Sequence, residues 1–340
     1  MAARVGIVGA SGYGGAELAR LLELHPGADL AVVAAKTQAG REVSELFPNL
    51  GDGVFAATDV EQLADLDLVF LATPHRPAAV LGADLHERGV KVVDLSAAFR
   101  LTASDFGAWY GDEHPAATLT PAVYGLTEFT REEVADATLV ANPGCYPTAA
   151  LLALLPLTPL VNPQTIVIDA KSGTSGAGRG VADHLHFSHV HGDLVAYGAP
   201  AHRHTGEIEH WLATIGGIAH APVSFTPHLV PMSRGLLATC YADLQDGVGL
   251  DDAHGAFLER YRDEPFVRVL APGGFPHTKA LAGSNGAQIG VSVDERTHRV
   301  VATCAIDNLG KGAAGQALQN ANLMLGFDET TGLTATGVYP

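Results

Sequence analysis

The sequence predicts an α/β domain with a parallel sheet, followed by an α+β domain with a largely antiparallel sheet. Short apolar runs alternate with helical patterns over about the first 95 residues, and longer alternating apolar stretches follow residue 140. The chain has 340 residues, which at roughly 150 residues per domain suggests two domains. With 47% hydrophobic and 17% charged residues, it can bury a large core and is not a disordered chain.

The first domain is predicted from four short apolar strands and two intervening helices. The strands are residues 5–8, 30–35, 68–72 and 90–95, and the helices are 16–22 and 78–88. Buried strands that alternate with helices are typical of βαβ units and therefore of a parallel sheet.

The second domain is predicted from strands that carry period-two alternation, which favours an antiparallel sheet with one covered face. These strands are residues 221–230, 236–244, 287–293 and 299–306, and a further strand is predicted over 166–170. A final helix over 310–326 places Ala314, Leu318, Ala321 and Leu325 on one face. We expect a discontinuous first domain, 1–144 with 310–340, and a second domain over 145–309.

A glycine-rich turn follows the first strand and precedes the first helix, which indicates a Rossmann-type dinucleotide site. Glycines permit a tight turn and a close approach to a pyrophosphate, and the helix N-terminus supplies N–H donors. The alternative is a structural tight turn without a nucleotide. The predicted cofactor contacts in this turn are Gly9, Ser11, Gly12, Tyr13 and Gly14.

The end of the second strand favours NADP over NAD. NAD-binding proteins usually carry an acidic residue there for the ribose 2′-hydroxyl. This chain instead has Lys36, with Arg41 close by, which suits a 2′-phosphate unless both are ordinary surface residues. Pro74, which follows the third strand, is a further predicted cofactor contact.

The stretch 142–150 carries the predicted nucleophile, Cys145. A Pro-Gly turn precedes this cysteine and a helix is predicted over 149–155, so Cys145 lies at or near a helix N-terminus. The helix dipole there favours the thiolate, which can form a thioester with an acyl phosphate. Cys240 and Cys304 lie in apolar strands and are predicted to be core thiols. Three widely spaced cysteines also argue against a disulfide framework and suggest a reducing cytoplasm.

An acid/base partner for this thiol is expected between residues 202 and 207. His202 and His204 alternate there, and Glu207 could orient one of them. The sequence leaves open which histidine faces Cys145, and whether the pair instead caps a helix or lies on the surface.

If the substrate is an acyl phosphate of an amino acid, arginines are expected to hold its phosphate and carboxylate groups. Arg100 follows the fourth strand, at the sheet edge where ligands bind. A second glycine- and serine-rich loop follows the strand at 166–170, and its backbone could approach a nicotinamide or a phosphate. From this loop we predict Ser175 and Arg179 as substrate contacts, and Ser172, Gly173 and Gly176 as cofactor contacts.

Charge and histidine content exclude several other classes of site. With 20 basic and 37 acidic residues the net charge is −17, which argues against binding nucleic acid or anionic lipid. No run of 18 apolar residues predicts a membrane span, and the N-terminus does not match a signal peptide. His184, His186, His189 and His191 resemble metal ligands in spacing, but a loop beside the substrate cleft is the preferred interpretation and no metal is predicted.

Together these motifs resemble the N-acetyl-gamma-glutamyl-phosphate reductases of bacterial arginine synthesis, over nearly the whole chain. The resemblance rests on the glycine turn 9–15, on the stretches 94–100, 123–126, 142–148, 172–179 and 202–205, and on 225–231 and 308–317. Among these, the cysteine motif and the glycine loop after Ser172 are the most specific.

The resemblance implies NADPH-dependent reduction of N-acetylglutamyl 5-phosphate to the 5-semialdehyde. It assigns the nucleophile to Cys145, the acid/base to His202 or His204 with Glu207 nearby, and the phosphate-binding arginine to Arg100. We also include Asn308, from the last motif, among the cofactor contacts. The family resembles aspartate-semialdehyde dehydrogenases, so we expect a homo-oligomer, dimer or tetramer, acting on a small molecule.

Three alternatives remain open at this point. The analogous aminoadipyl-phosphate reductase of lysine synthesis can use a substrate carried on an acidic protein, which a chain of charge −17 should repel. Aspartate-semialdehyde dehydrogenase matches the motifs less well. A redox-sensing NADP-binding regulator would need Cys145 without a nearby base, and the histidine pair argues against it.

Overall fold

A computed structural model describes residues 2–339, and these residues form two compact units. The first unit comprises the residues up to Gly144 together with Ala313–Leu333, and the second comprises Cys145–Gly312 together with the residues from Thr334 onward. In chain order the strands are β1 (Ala3–Val8), β2 (Ala28–Ala34), β3 (Leu68–Leu71), β4 (Lys91–Asp94), β5 (Val123–Tyr124), β6 (Leu139–Ala141), β7 (Val167–Gly173), β8 (Val195–Ala196), β9 (Ser224–Val230), β10 (Leu236–Asp243), β11 (Val267–Val269), β12 (Ala287–Asp294) and β13 (Arg299–Ile306).

Eleven α-helices accompany these strands within residues 2–339. They are α1 (Tyr13–Leu22), α2 (Val43–Leu46), α3 (Val60–Ala64), α4 (His75–Glu87), α5 (Ala103–Tyr110), α6 (Thr127–Asp136), α7 (Cys145–Leu154), α8 (Phe187–Val190), α9 (His204–Gly216), α10 (Leu250–Arg260) and α11 (Gly315–Met324). None of the described helices combines the length and apolar character needed to cross a membrane.

The first unit is built on a parallel sheet with strand order β2-β1-β3-β4-β6-β5. The strands are apolar because helices cover both faces of the sheet. One face packs with α1 and α11 through residues such as Leu18 and Leu318, and the other packs with α3 and α4 through residues such as Leu63 and Leu85. The strand order reverses between β1 and β3, which places the glycine turn after β1 at the topological switch point.

The second unit is built on a mixed sheet with strand order β11-β12-β13-β10-β7-β9-β8. Its central pairs, β12 with β13, β13 with β10 and β10 with β7, are antiparallel, whereas β7 pairs with β9 in parallel. Burial alternates along β10, and α7 packs against β10 and β13. The predicted fold class, a Rossmann-type parallel sheet plus a largely antiparallel sheet, is therefore confirmed.

The C-terminal segment divides between the two units, whereas the predicted boundaries assign all of 310–340 to the first domain. Residues 310–314 form a π-helical turn that leads into α11. α11 belongs to the first unit, but the segment after Leu333 belongs to the second, because Asn285 N donates to Thr334 O at 2.7 Å and Val338 N donates to Ala282 O at 3.0 Å. The functional domain boundaries 1–144 with 310–340 and 145–309 remain a prediction.

Candidate active site

The glycine turn at the switch point is tightly packed on one side and open on the other. Gly9 has φ +90°, and a Cβ there would collide with the Ala72 carbonyl. A Cβ on Gly15 would lie 2.6 Å from Ala10 Cα, so the first turn of the helix packs directly on the glycine turn. Gly12 caps α1, and a Cβ on Gly14 would meet no atom within 4 Å. The turn thus leaves open space beside the first helical turn, as a pyrophosphate site requires.

The two predicted 2′-phosphate ligands both lie on the surface, after β2. Lys36 is exposed, and Arg41 NH2 forms an ion pair with Glu45 at 3.1 Å while NH1 donates to Gln38 Oε1 at 2.7 Å. No acidic residue occurs between Ala35 and Arg41. A 2′-phosphate bound by Arg41 would therefore compete with Glu45 for the guanidinium.

Arg100 is fixed at the carboxyl edge of the parallel sheet, as its position after β4 predicts. The side chain is buried, its Nε donates to Asn142 O, and NH2 donates to Leu95 O, both at 2.8 Å. Asp94, at the end of β4, accepts hydrogen bonds from Ser96 N at 3.0 Å and Ser96 Oγ at 2.8 Å. Burial raises the pKa of Asp94 to about 6, although Ser96 and the charge of Arg100 oppose this shift.

Cys145 is the first residue of α7 and is half-exposed, whereas Tyr146 and every later residue of the helix are buried. The helix is apolar all round because it lies inside the second unit. Gly312 packs directly on Cys145, since a Cβ there would lie 2.8 Å from Cys145 Cβ. Cys240 and Cys304 are buried in β10 and β13, and burial raises the pKa of Cys240.

Aromatic rings and two histidines surround Tyr146, the residue after Cys145. The ring centroids of His202 and His204 each lie 5.9 Å from that of Tyr146 and 5.0 Å from each other. Tyr146 donates its hydroxyl hydrogen to His228 O at 3.1 Å, and Tyr197 donates to the Tyr146 hydroxyl at 3.2 Å. The structure therefore brings the predicted histidine pair to the start of α7.

The two histidines occupy different environments. His202 Nδ1 accepts a hydrogen bond from His204 N at 3.2 Å, and burial, with the charge of Arg203, lowers the pKa of His202 to about 4. His204 begins α9, and the buried Glu207 follows it in the same helical turn. At neutral pH His202 is therefore uncharged and caps the start of the helix.

The second glycine- and serine-rich loop gathers several predicted residues around Asn308. Ser175 Oγ accepts from Asn308 Nδ2 at 2.9 Å, and Asn308 Oδ1 accepts from Gly235 N at 2.8 Å. A Cβ on Gly176 would lie 2.9 Å from Ser172 Oγ, and one on Gly173 would lie 2.8 Å from Met232 O. The backbone is thus compact from Ser172 to the 3₁₀ turn Thr174–Ala177, and Arg179 follows it, partly exposed.

The histidine-rich stretch 184–191 forms an exposed 3₁₀ turn and the short helix α8. His186 Nδ1 bonds Ser188 Oγ at 2.7 Å, and His189 Nδ1 bonds Asp183 O at 2.6 Å. These ring nitrogens serve local loop contacts. Across residues 2–339, no group of three or more His, Cys, Asp or Glu side chains is arranged to hold a metal ion.

Comparison with known proteins places the chain in a family. Residues 4–137 match the family model "Semialdehyde dehydrogenase, NAD binding domain", and residues 145–308 match "Semialdehyde dehydrogenase, dimerisation domain". The chain is 47% identical over 345 residues to the N-acetyl-gamma-glutamyl-phosphate reductase of Desulforamulus reducens, covering 99% of both chains. It is 48% identical over 344 residues to that of Geobacillus thermodenitrificans, covering 99% of this chain and 100% of the relative. The chain belongs to the N-acetyl-gamma-glutamyl-phosphate reductase family.

Solved structures agree on the fold of this reductase family member. An aspartate semialdehyde dehydrogenase II from Vibrio cholerae, complexed with ASA, superposes with a TM-score of 0.73 at 16% identity, covering 96% of this chain and 98% of that one. An aspartate semialdehyde dehydrogenase with NADP from Candida albicans gives 0.69 at 15% identity, covering 96% and 99%. The family resemblance drawn from the motifs is confirmed, as is a nicotinamide dinucleotide domain.

Sequence reasoning missed several residues of the candidate site. Tyr197 is a single tyrosine in an irregular segment, and no pattern marks it. Gly312 was included only as part of a motif, because its contact with Cys145 arises from chain folding. Asn142 stood in the cysteine motif, and its side-chain partners Ala313 and Asn320 lie 171 and 178 residues later in the sequence.

Proposed function

We propose that this chain reduces N-acetylglutamyl 5-phosphate to N-acetylglutamate 5-semialdehyde and phosphate, with Cys145 as the nucleophile. The observation that carries the proposal is a half-exposed thiol at the first residue of a buried helix, with two histidines beside the next residue. The names of the curated relatives favour this substrate over the aminoadipyl analogue.

The sulfur of Cys145 attacks the acyl carbonyl, the bond to phosphate breaks, and a thioester remains on the enzyme. A reduced nicotinamide, when bound, supplies the hydride that the thioester requires. Collapse of the resulting tetrahedral oxyanion breaks the carbon–sulfur bond, releases the aldehyde and regenerates the thiolate. A histidine holds the thiol proton while the sulfur is acylated and returns it afterwards.

We assign the acid/base role to His204 and a structural role to His202. Since His202 Nδ1 accepts from the backbone and its pKa is about 4, it stays neutral and caps α9. His204, with Glu207 one turn later, is the group left for proton transfer. We expect His204→Asn to lower kcat by about 10²-fold or more. We expect His202→Asn to act mainly by lowering the melting temperature, with a smaller loss of kcat than His204→Asn. The reverse order in kcat would contradict the assignment.

We propose NADP as the cofactor. The open space beside Gly14 and the close packing at Gly9 and Gly15 fit a dinucleotide pyrophosphate. Lys36 and Arg41 are the proposed 2′-phosphate ligands, and Ser11, Gly12, Tyr13 and Pro74 complete the contacts proposed in the first unit. In the second unit the proposed cofactor contacts are Ser172, Gly173, Gly176 and Asn308.

Substrate anions are assigned to Arg100, Ser175 and Arg179. Arg100 is the best supported of these because two backbone carbonyls fix its guanidinium. We further propose self-association through the domain that matches a dimerisation model, and a cytoplasmic location, where a catalytic thiol stays reduced.

The test is phosphate-dependent reduction of NADP with three aldehydes in separate assays. We expect turnover with N-acetylglutamate semialdehyde, and kcat/KM lower by about 10²-fold or more with aminoadipate or aspartate semialdehyde. Replacing NADP by NAD should raise KM. Equal kcat/KM with aspartate semialdehyde would overturn the substrate, and equal kcat/KM with NAD would overturn the cofactor.

A further inference from the structure

A row of buried polar side chains runs from α11 to the turn that precedes Cys145 in the chain. Gln316 Nε2 donates to Thr127 Oγ1 at 2.6 Å, and Thr127 Oγ1 donates to Asn320 Oδ1 at 2.8 Å. Asn320 Nδ2 then donates to Asn142 Oδ1 at 3.1 Å. All four side chains have 0% exposure, and we call them the amide network.

Asn142 connects the amide network to Arg100. Its Nδ2 donates to Ala313 O at 3.1 Å, and its backbone N donates to Asp94 O at 2.8 Å. Its carbonyl oxygen accepts from Arg100 Nε at 2.8 Å. Every polar group of Asn142 is therefore engaged, and Pro143 and Gly144 are all that separate it from the nucleophile in sequence.

Asn320 decides which way the Asn142 amide points. Because Asn320 Nδ2 faces Asn142 Oδ1, the Nδ2 of Asn142 is directed to Ala313 O. The same Nδ2 of Asn320 also donates to Gly125 O at 2.9 Å. The chain makes room for this contact with a glycine, since a Cβ on Gly125 would collide with the Asn320 amide. Within this network every polar atom of the Asn142 and Asn320 side chains has a partner, and a satisfied pair of buried amides holds one arrangement of its neighbours.

We propose that Asn320 is a positioning residue for the reaction. Through Asn142 it fixes the turn that carries the nucleophile and the carbonyl that holds Arg100. The inference rests on the proposed function for its kinetic consequence, and on geometry alone for its effect on the thiol. A misplacement of about 1 Å at a reacting group costs about 10²-fold in rate.

Asn322 provides a matched control in the same helix. It is also buried, at 1% exposure, and its Oδ1 bonds His25 Nε2 at 2.9 Å. Its Nδ2 donates to Thr331 O at 2.9 Å and to Glu329 O at 3.2 Å. These partners anchor the segment after α11 and do not include Asn142, so Asn322→Ala removes a comparable buried amide away from the turn.

The experiment compares Asn320→Ala, Asn320→Asp and Asn322→Ala in the full-length protein. Each is measured for melting temperature, for kcat and KM in semialdehyde oxidation, and for the rate at which iodoacetamide alkylates Cys145 without substrate. We expect both Asn320 variants to lose about 10- to 100-fold in kcat with KM for NADP changed less than about twofold, and to change the alkylation rate. Asn322→Ala should lower the melting temperature by a similar amount but keep the wild-type kcat and alkylation rate.

The isosteric Asn320→Asp keeps the proposal falsifiable if Asn320→Ala does not fold, since a carboxyl cannot donate both hydrogen bonds of the amide. Wild-type kcat and alkylation rate in Asn320→Asp would overturn the proposal, as would equal losses in Asn320→Ala and Asn322→Ala. A wild-type enzyme without turnover would reject the proposed function instead, and an altered alkylation rate in the Asn320 variants alone would still support the positioning role.

Discussion

At the scale of single residues, position distinguishes Cys145 from the two other thiols. Cys145 is half-exposed at a helix N-terminus, where the dipole favours a thiolate. Cys240 and Cys304 lie in the interior of a sheet, and burial raises the pKa of Cys240. One chemically reactive thiol is therefore expected in the folded chain.

Gly312 tests how closely the nucleophile is packed. A Cβ there would lie 2.8 Å from Cys145 Cβ and 3.2 Å from Ile306 Cδ1, so Gly312→Ala must displace one of them. We predict that kcat falls by about 10-fold or more while KM for NADP is little changed. Gly255→Ala is the control, since Gly255 lies exposed in α10 with nothing within 4 Å of a Cβ. Wild-type kcat in Gly312→Ala would contradict the packing.

Asp94 gives a prediction with a defined sign in pH. Its pKa is raised from 3.8 to about 6, so between those values the folded state binds more protons than the unfolded state and stability falls as pH rises. Relative to Asp94→Asn, the wild type should lose about 2 kcal/mol between pH 4 and pH 6. Urea unfolding at several pH values measures the difference.

Asp294 is the control of opposite sign. Hydrogen bonds from Arg296 lower its pKa, so its contribution to stability is lost as pH falls. A pH-independent difference between wild type and Asp94→Asn would contradict a raised pKa at Asp94.

At the scale of elements, α7 holds Cys145, the proposed nucleophile, in place because the helix is buried on all sides. Residues Tyr146 to Leu154 are all buried, and the helix packs against β10, β13 and α9. The first residue of an amphipathic surface helix would be held less rigidly, because only one face of such a helix packs against the protein.

The burial of α7 predicts a large stability cost for truncating its side chains. Leu151 has 0% exposure, so Leu151→Ala should lower the free energy of unfolding by about 2–5 kcal/mol through lost burial and a cavity. Leu24, at 78% exposure, is the control, and Leu24→Ala should change it by less than about 0.5 kcal/mol. Denaturant titration measures the free energy of unfolding of each variant, and similar losses in the two variants would contradict the burial of the helix.

The elements that sequence reasoning could predict are those with local signals. The turn after β1, a helix N-terminus at or near Cys145 and the alternation in β10 and β13 are each visible within about ten residues of sequence, although the helix was predicted to begin at residue 149 and begins at Cys145. The parallel pairing of β7 with β9, the position of Tyr197 and the contacts of Asn320 were not predictable. Each depends on residues far apart in sequence, and hydrophobic periodicity does not encode such contacts.

At the scale of the whole molecule, the net charge of −17 contrasts with the basic residues at the proposed anion sites. Lys36, Arg41, Arg100 and Arg179 are all assigned to phosphates or to substrate. Because the global field opposes an anion, these local groups must supply the attraction, and binding should weaken as salt screens the exposed Lys36 and Arg41.

Self-association is a prediction at the same scale. Since residues 145–308 match a dimerisation domain, we expect a dimer or tetramer at micromolar concentration. Sedimentation velocity over a range of concentrations measures this, with the mass of one chain, 35.2 kDa, as the reference. A single species of that mass at all concentrations would contradict the prediction.

The most direct test of the central claim is capture of the acyl group on Cys145. The enzyme is mixed with N-acetylglutamate semialdehyde and NADP in the absence of phosphate, quenched in acid and analysed by peptide mass spectrometry. We predict an N-acetylglutamyl adduct on the peptide containing Cys145, lost when phosphate is added and absent from Cys145→Ala. Turnover without an adduct, or an adduct on another residue, would contradict a Cys145 thioester.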